Sequence, residues 1–465
     1  MLPSLFIPDQ GRPFGREKII SKYDAITPSN VLDAFDTALN THNVNKAAIE
    51  ALYAYYRGVT PILNKTKEYR KEVNNRVGVA TAQEIVSFYT GYIFGEPKTY
   101  IRHDGRKDGD NGEDVSDRIV LLNDWCRMAD VPSCDIELVT WALICGTSFR
   151  SVAEEEKYPD ETPFRAYSID PRNTFVAYSR TDHKTPVFCA VSSETPEGNV
   201  EWLIHTDDMF FVVSNGEIVS SGKNWYGTLP IVEYPANAMR IGVFEPVVDQ
   251  LNALETLQSS RVDATVQDVD NVLTIIGADP GETDSEGNSV ADWLRKLKML
   301  VLPAGSDAKY ITAPLRQADV QTLYDSVYSS VLTITGMPNR NGGSSTSDTG
   351  AAVQLRDGWA SAEAHAKQLE TCFRDAETRF LRAVMSIARI KRMPTIPVSD
   401  IEPKFSRRYS ENVLVRVQAL KNLIDIGFSP ADALPMVSLV SDPLDVALRN
   451  ADRIDRVLFG DPNAE

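Results

Sequence analysis

Ten residues near the end of this chain form an unbroken seam. Leu355, Trp359, Ala362, Ala366, Leu369, Phe373, Ala376, Phe380, Ala383 and Ile387 follow one another at alternating steps of four and three. Such spacing keeps one apolar stripe on one side of an α-helix and cannot be accommodated by a strand, whose faces alternate every two residues. The pattern predicts a continuous helix over 351–390, roughly 60 Å long at about 1.5 Å per residue. Gly358 falls inside it and is expected to weaken the helix by about 1 kcal/mol without ending it. Pro394 and Pro397 stop the pattern. A seam this long fits either a core helix of a large helical domain or a helix that packs against a second copy. In the second case Leu355, Trp359, Leu369, Phe373 and Phe380 are the subunit-packing positions.

Immediately before the rod, Asn339 to Gly350 contains no apolar residue and is rich in Gly, Ser and Asn. Earlier segments alternate between helical and strand periods. Residues 31–57 and "ATAQEIVSFYTGYIFGEP" carry apolar residues at helical spacing and end at Gly58 and at Gly95 with Pro97. Between them lies a polar, basic connector, "VTPILNKTKEYRKEVNNR". From Phe149 to Tyr234, seven short β-branched and aromatic runs are separated by turn residues, as in a meandering sheet, with "SNGEI" as a hairpin turn. Two thin helical stripes follow. The first has Phe244, Val247, Leu251, Leu254, Val262, Val266, Val269 and Leu273; the second has Val320, Leu323, Val327, Val331 and Ile334. A narrow stripe suits a helix packed on like neighbours. The insertion between them, 275–316, is rich in turns and contains a short helix and a strand-like end. The tail after Glu411 reads as two or three short helices.

The chain has 465 residues and a net charge of −17. A protein that grips a nucleic-acid backbone by neutralising phosphates carries a basic surface, so acidity leaves two options: no nucleic acid, or contact without holding. Five cysteines without a CxxC pair fit buried free thiols in a reducing compartment. No run of about 18 apolar residues is present, so no membrane span is expected, and the N-terminus lacks a secretion-signal pattern.

No catalytic constellation emerges. GxxxxGK[ST], HExxH and GxSxG are all missing, and the five histidines have no metal spacing. His205, Asp207 and Asp208 are the nearest approach to a metal or acid–base group, as in a nuclease. Adjacent strand residues point to opposite faces, which favours a plain surface cluster. "DGRKDGDNGED" and "GADPGETDSEGNS" lack the register of a calcium loop. The chain is therefore expected not to be an enzyme and to need no cofactor or metal. Between Ile241 and Ser289 there are ten acidic residues, among them Glu255, Asp263, Asp268 and Asp270, against the single base Arg261. Thin helices standing side by side around an axis would leave such acids facing a central hole, where a negative wall repels phosphates and lets a duplex slide.

The order of these segments resembles the portal proteins of tailed double-stranded DNA phages, of the long-tailed type of Gram-positive hosts. "YYRGVTPIL" and "NNRVGVATAQEIVSFYTGYIFGEP" resemble the family's wing helices, and "ICGTSF", "SIDPRNTFVAY" and "GTLPIVEYPAN" its wing strands. "VFEPVVDQLNALETLQSSRVDA" and "ADVQTLYDSVYSSVLTITGMPN" resemble its two stem helices, and "NGGSSTSDTGAAVQLR" its tunnel loop entering the long helix. The resemblance implies an α+β, mainly α, fold. Its parts are a wing over 1–240, stem helix 1 over 241–274, a clip over 275–316 and stem helix 2 over 317–338. A tunnel loop over 339–350, a long helix over 351–393 and a helical crown over 394–465 complete it.

It further implies a ring of about twelve copies at the portal vertex of the virion, assembled in the host cytoplasm, through which DNA is packaged, retained and ejected. The partners would be double-stranded DNA, terminase, scaffolding and major capsid proteins and a head-completion adaptor, with no membrane. Asn339, Arg340, Asn341, Gly342, Gly343, Ser344, Ser345, Thr346 and Ser347 would face DNA. Glu255, Asp263, Asp268 and Asp270 would line the channel. Asp284, Glu286, Trp293, Arg295 and Lys296 of the clip would meet the adaptor. The alternative is an oligomeric coiled-coil scaffold or adaptor without a DNA channel.

Overall fold

In the computed structural model, residues 14–68, 71–103, 115–269, 272–276, 307–311, 317–339, 358–405 and 413–437 are described. The chain divides into two units, each discontinuous in sequence. The first takes the residues up to Arg57, Thr81–Val247 and everything from Thr333 on; the second takes Gly58–Ala80 and Val248–Leu332.

The first unit opens with helices α1 (Val31–Tyr56) and α2 (Thr81–Phe94), strand β1 (Thr99–Arg102), and helices α3 (Val115–Met128) and α4 (Val131–Cys145). Eight strands follow: β2 (Thr147–Glu154), β3 (Phe164–Ile169), β4 (Thr174–Tyr178), β5 (Pro186–Glu194), β6 (Val200–Thr206), β7 (Met209–Ser214), β8 (Glu217–Lys223) and β9 (Ile231–Pro235). Strands β4 to β8 form an antiparallel meander, and β3-β2-β9 a three-stranded sheet. The β7–β8 turn is at Asn215 and Gly216, both at positive φ, which is the backbone a tight hairpin demands.

Phe175 and Val176 are adjacent on β4 and face different cores. Phe175, with Phe188, Ile204 and Phe211, packs under the α1 stripe Val31, Ala34, Phe35 and Ala38. Val176, with Tyr178 and Cys189, packs against Phe149 and Ile231 of the three-stranded sheet. The meander is thus covered on both sides, and each fully buried large apolar side chain contributes roughly 1.5–3 kcal/mol. Four of the five cysteines are buried free thiols and Cys372 is partly buried.

The second unit contains a 3-10 turn, Pro61–Asn64, within a strap of otherwise irregular chain, then helix α5 (Val248–Val269). Strands β10 (Val272–Ile276) and β11 (Asp307–Ile311) pair antiparallel, and helix α6 (Gln317–Thr335) leads back into the first unit. Stem helix 1 was expected over 241–274. The helix starts at Val248, and Val272–Ile276 is a strand because its β-branched run satisfies a ladder partner as well as a helix stripe.

The long helix, α7, spans Trp359–Ile390 and lies in the first unit. Gly358 is its N-cap at φ 84°, a left-handed conformation that suits glycine, so the glycine expected in the helix interior marks its start. Beyond it, Ile401–Lys404 forms β12, which pairs with β1. This strand of the region expected as crown therefore belongs to the first unit. Helices α8 (Val413–Ile426) and α9 (Pro430–Val437) match the short helices expected in the tail.

Candidate functional site

The second unit holds a regular contact between an extended strap and a helix. Glu255, Ser259 and Asp263 sit at steps of four on α5 and share one face. The backbone N–H of Val79 donates to Glu255 Oε1 at 3.1 Å, that of Val77 to Ser259 Oγ at 2.9 Å, and that of Asn75 to Asp263 Oδ1 at 2.7 Å. The spacing follows from geometry: two extended residues advance about 6.6–6.8 Å, and four helical residues about 6 Å. Three rungs therefore align without strain, with the two segments antiparallel. Asp263 also accepts from Asn75 Nδ2 at 2.8 Å and pairs with Lys67 Nζ at 2.7 Å and Lys65 Nζ at 3.2 Å. Burial works against the Asp263 carboxylate, but Lys67 and the Asn75 amide outweigh it and hold the group well below the usual carboxylate range. Burial pushes the Glu255 carboxyl up.

Beyond the buried Leu251 and Leu254, this contact buries a polar row. From Glu255 to Asp263 the buried row on α5 is polar: Glu255, Ser259 and Asp263 are 1%, 0% and 2% exposed. Val262 and Val266, seven residues on from Glu255 and Ser259 and so on the same side of the helix, are 39% and 40% exposed. On α6, Leu323 is 52% exposed, and no residue from Gln317 to Ser330 is buried. Arg261 joins the two helices, its Nη1 donating to Gln321 Oε1 at 2.8 Å and its Nε to Gln317 Oε1 at 3.3 Å. Val262, Val266 and Leu323 are thus exposed apolar side chains of the single chain.

The family model described as phage portal protein, SPP1 Gp6-like, matches residues 36–456. The chain belongs to that family. It is a portal-family protein, a structural component of a phage particle at the capsid vertex. No individual curated protein matches it. Among the described residues of this portal chain, no helix is long and apolar enough to cross a membrane.

The portal chain places its expected site residues unevenly. Glu255 and Asp263, expected on a channel wall, are buried under the strap and line no open surface. The charge count over 241–289 left out Lys65 and Lys67, which lie some 200 residues upstream and meet Asp263 in the fold. Glu245, another of the ten acids, is buried with Arg16. Asp268 lies on the last turn of α5, in the part whose side chains are outside the described set, and Asp270 lies outside the described residues. So do the clip positions Asp284, Glu286, Trp293, Arg295 and Lys296, the loop positions Arg340 to Ser347, and Leu355. Asn339 is described and partly buried, three residues beyond Gly336.

The seam of α7 is buried by the portal chain itself. Leu369, Phe373 and Phe380 are 5%, 1% and 0% exposed. Phe373 meets Tyr234 edge-on at 5.2 Å, and Phe380 meets Phe164 at 5.9 Å. Trp359 rests on Phe88 and Tyr92 of α2 at 6.0 Å. These positions were expected to pack subunits together; in the single chain they pack against α2, β3 and β9, whose aromatic residues fill the seam.

Next to the seam is a buried charge network that sequence reading missed. Glu377 of α7 accepts from Arg150 Nη1 at 3.0 Å, Tyr234 Oη at 3.0 Å, Tyr100 Oη at 2.6 Å and Lys98 Nζ at 3.2 Å. Asp135 of α4 binds Lys98 Nζ at 2.6 Å and pairs with Arg150. Two cations and two anions balance, so burial is tolerated and the α7 register is fixed. The only sequence signal was an acid, Glu377, beside a seam of apolar residues. For the strap, the signal was an E-x3-S-x3-D row and a basic connector, linked only by the fold.

His205 is partly buried on β6, with burial holding its ring down to about 4 and Nδ1 without a partner. Asp207 and Asp208 are exposed in the following turn. Among the described residues, no three His, Cys, Asp or Glu converge to hold a metal ion.

Proposed function

We propose that about twelve copies of this chain close into a ring at one capsid vertex and that double-stranded DNA passes through the middle during packaging, retention and ejection. Family membership supports a portal role. The observation that favours assembly is the exposure of Val262, Val266 and Leu323, apolar side chains of α5 and α6 that a like copy would cover. The polar segment from Asn339 to Ser347 faces the duplex, with Arg340 as its only cation. Hydroxyl and amide groups touch phosphates briefly without a strong charge interaction. Terminase, scaffolding and major capsid proteins and a head-completion adaptor are the partners, the adaptor meeting the 275–316 insertion.

Particle mass and axial electron-microscope views of the purified protein test this. Closed annuli of about twelve copies with a central hole support it; a single copy, dimer or trimer at high concentration overturns it. Gly342→Pro, which restricts the loop, is expected to impair DNA packaging while leaving annuli intact.

A further inference from the structure

One turn of α2 meets the chain on both sides of the stretch 340–357. Tyr89 reaches the side where the chain leaves α6. Its Oη donates to the Thr335 carbonyl at 2.7 Å, and both residues are buried. That carbonyl belongs to the last turn of α6, where the helix itself supplies no N–H to satisfy it. Gly336 follows at φ 73°. A Cβ there would fall 2.7 Å from His365 Cδ2 and 3.0 Å from Tyr89 Oη, so conformation and space both call for glycine. Phe88 and Tyr92, stacked on each other at 5.7 Å, reach the side where α7 begins. Each ring lies 6.0 Å from Trp359, the first residue of α7. One turn later, Glu363 Oε2 accepts from Tyr92 Oη at 2.9 Å. Phe88 also meets Tyr89 edge-on at 5.1 Å, which joins the two contacts into one aromatic cluster. All of these residues belong to the first unit.

The end of α6 depends on this contact. A cavity of about 380 Å³, with Ile334, Met239 and Gln368 in its lining, adjoins Thr335 and His365 and leaves room on that side. Without restraint, the ends of a chain as long as 340–357 drift ~20–25 Å apart on average. Phe88 and Tyr92 are separated by only about 6 Å along α2. Bringing both ends to one helical turn carries a loop-closure cost, which the buried ring contacts and the two tyrosine hydrogen bonds offset.

We propose that the Phe88–Tyr92 turn of α2 is a positioning clamp: it holds the entry and the exit of the segment assigned to the duplex on one base. Tyr89 fixes the entry through Thr335, and Phe88 with Tyr92 fixes the exit through Trp359 and Glu363. The duplex-facing role of the segment rests on the ring reading above; the clamp does not. These side chains act through the segment they hold and touch no DNA themselves.

The test uses the full chain carrying Cys372→Ser; the other four cysteines are buried. Spin labels at Asn339→Cys and Ala360→Cys report the spacing of the two ends by electron paramagnetic resonance. Tyr89→Phe and Tyr92→Phe are combined, which removes both hydroxyls and keeps both rings. In the dilute single-copy fraction, the distance distribution is expected to widen at least twofold. Glu363→Ala should widen it as well, whereas Glu363→Gln, which keeps an acceptor for Tyr92, should leave it narrow; this pair serves if the double variant does not fold. Side chains that serve stability alone would lower the urea midpoint and leave the native width unchanged. An unchanged width in the double variant and in Glu363→Ala overturns the clamp, whether or not annuli form. On annuli, the DNA packaged by the double variant is expected to fall at least fivefold. A widened distribution with full packaging leaves the clamp standing and removes the duplex-facing reading of the segment.

Discussion

Arg150 Nη1 and Glu377 Oε1 lie 3.0 Å apart, both side chains buried in the core. One is on β2 and the other on the long helix α7, more than 200 residues later. Tyr234 closes the triangle, accepting from Arg150 and donating to Glu377, each at 3.0 Å. Replacing Glu377 with Ala leaves Arg150 and Lys98 buried with one carboxylate between them. The expected cost is about 3–5 kcal/mol, read as a lower urea midpoint with an unchanged slope. A variant that keeps its midpoint would mean the network contributes little.

The seam of α7 belongs to the single chain. Phe373→Ala is therefore expected to cost about 3–5 kcal/mol even at concentrations where no assembly occurs. Trp359→Ala, at the half-buried start of the helix, should cost less. If both variants melt normally as single copies and fail only in assembly, the seam is an interface after all.

Acid should destabilise the first unit. His42 is buried, its Nε2 3.1 Å from the Arg172 carbonyl, and burial brings its ring down to about 4. The unfolded ring titrates near 6.5, so between these values the unfolded chain binds a proton that the folded chain refuses. Stability is complete above pH 6.5 and falls as the pH drops toward 4, by up to about 3 kcal/mol for this ring. His205 acts in the same direction. His42→Gln should flatten the slope of unfolding free energy between pH 6.5 and 4; an unaltered slope would assign it to other groups.

Polar replacement of the exposed apolar residues of α5 and α6 should separate folding from association. Val262→Ser, Val266→Ser and Leu323→Ser together touch residues 39–52% exposed in the single chain. Melting temperature of the single copy should move little, each surface change being within about 0.5 kcal/mol. The mass distribution should shift toward single copies. Loss of melting temperature in step with loss of mass would show that these side chains serve the fold of one chain.

Much of the architecture is legible from period alone. Helix α1 ends one residue before Arg57, and the meander strands fall where β-branched runs and turn residues alternate. Val272–Thr274 was assigned to the helix because Leu273 continues the step of four from Val269, although the run to Ile276 is rich in β-branched residues. The β1–β12 pair was invisible: "TYIR" and "IEPK" are four residues each, and Pro403 weakens any strand signal. The rungs of α5 were hidden for a deeper reason. An acid on a thin helix looks solvated until its donor is known, and here the donor is a backbone amide some 180 residues upstream. Local pattern carries no information about that meeting.

The pairing of Thr99–Arg102 with Ile401–Lys404 sets a timetable for biosynthesis. The earlier strand leaves the ribosome about 300 residues ahead of its mate, a lag of roughly 15–60 s at ~5–20 residues per second. Nascent chains therefore cannot finish their first unit, nor seat α7, until translation is almost over. Truncated products would lack a closed body, so quality control is written into the order of the polypeptide.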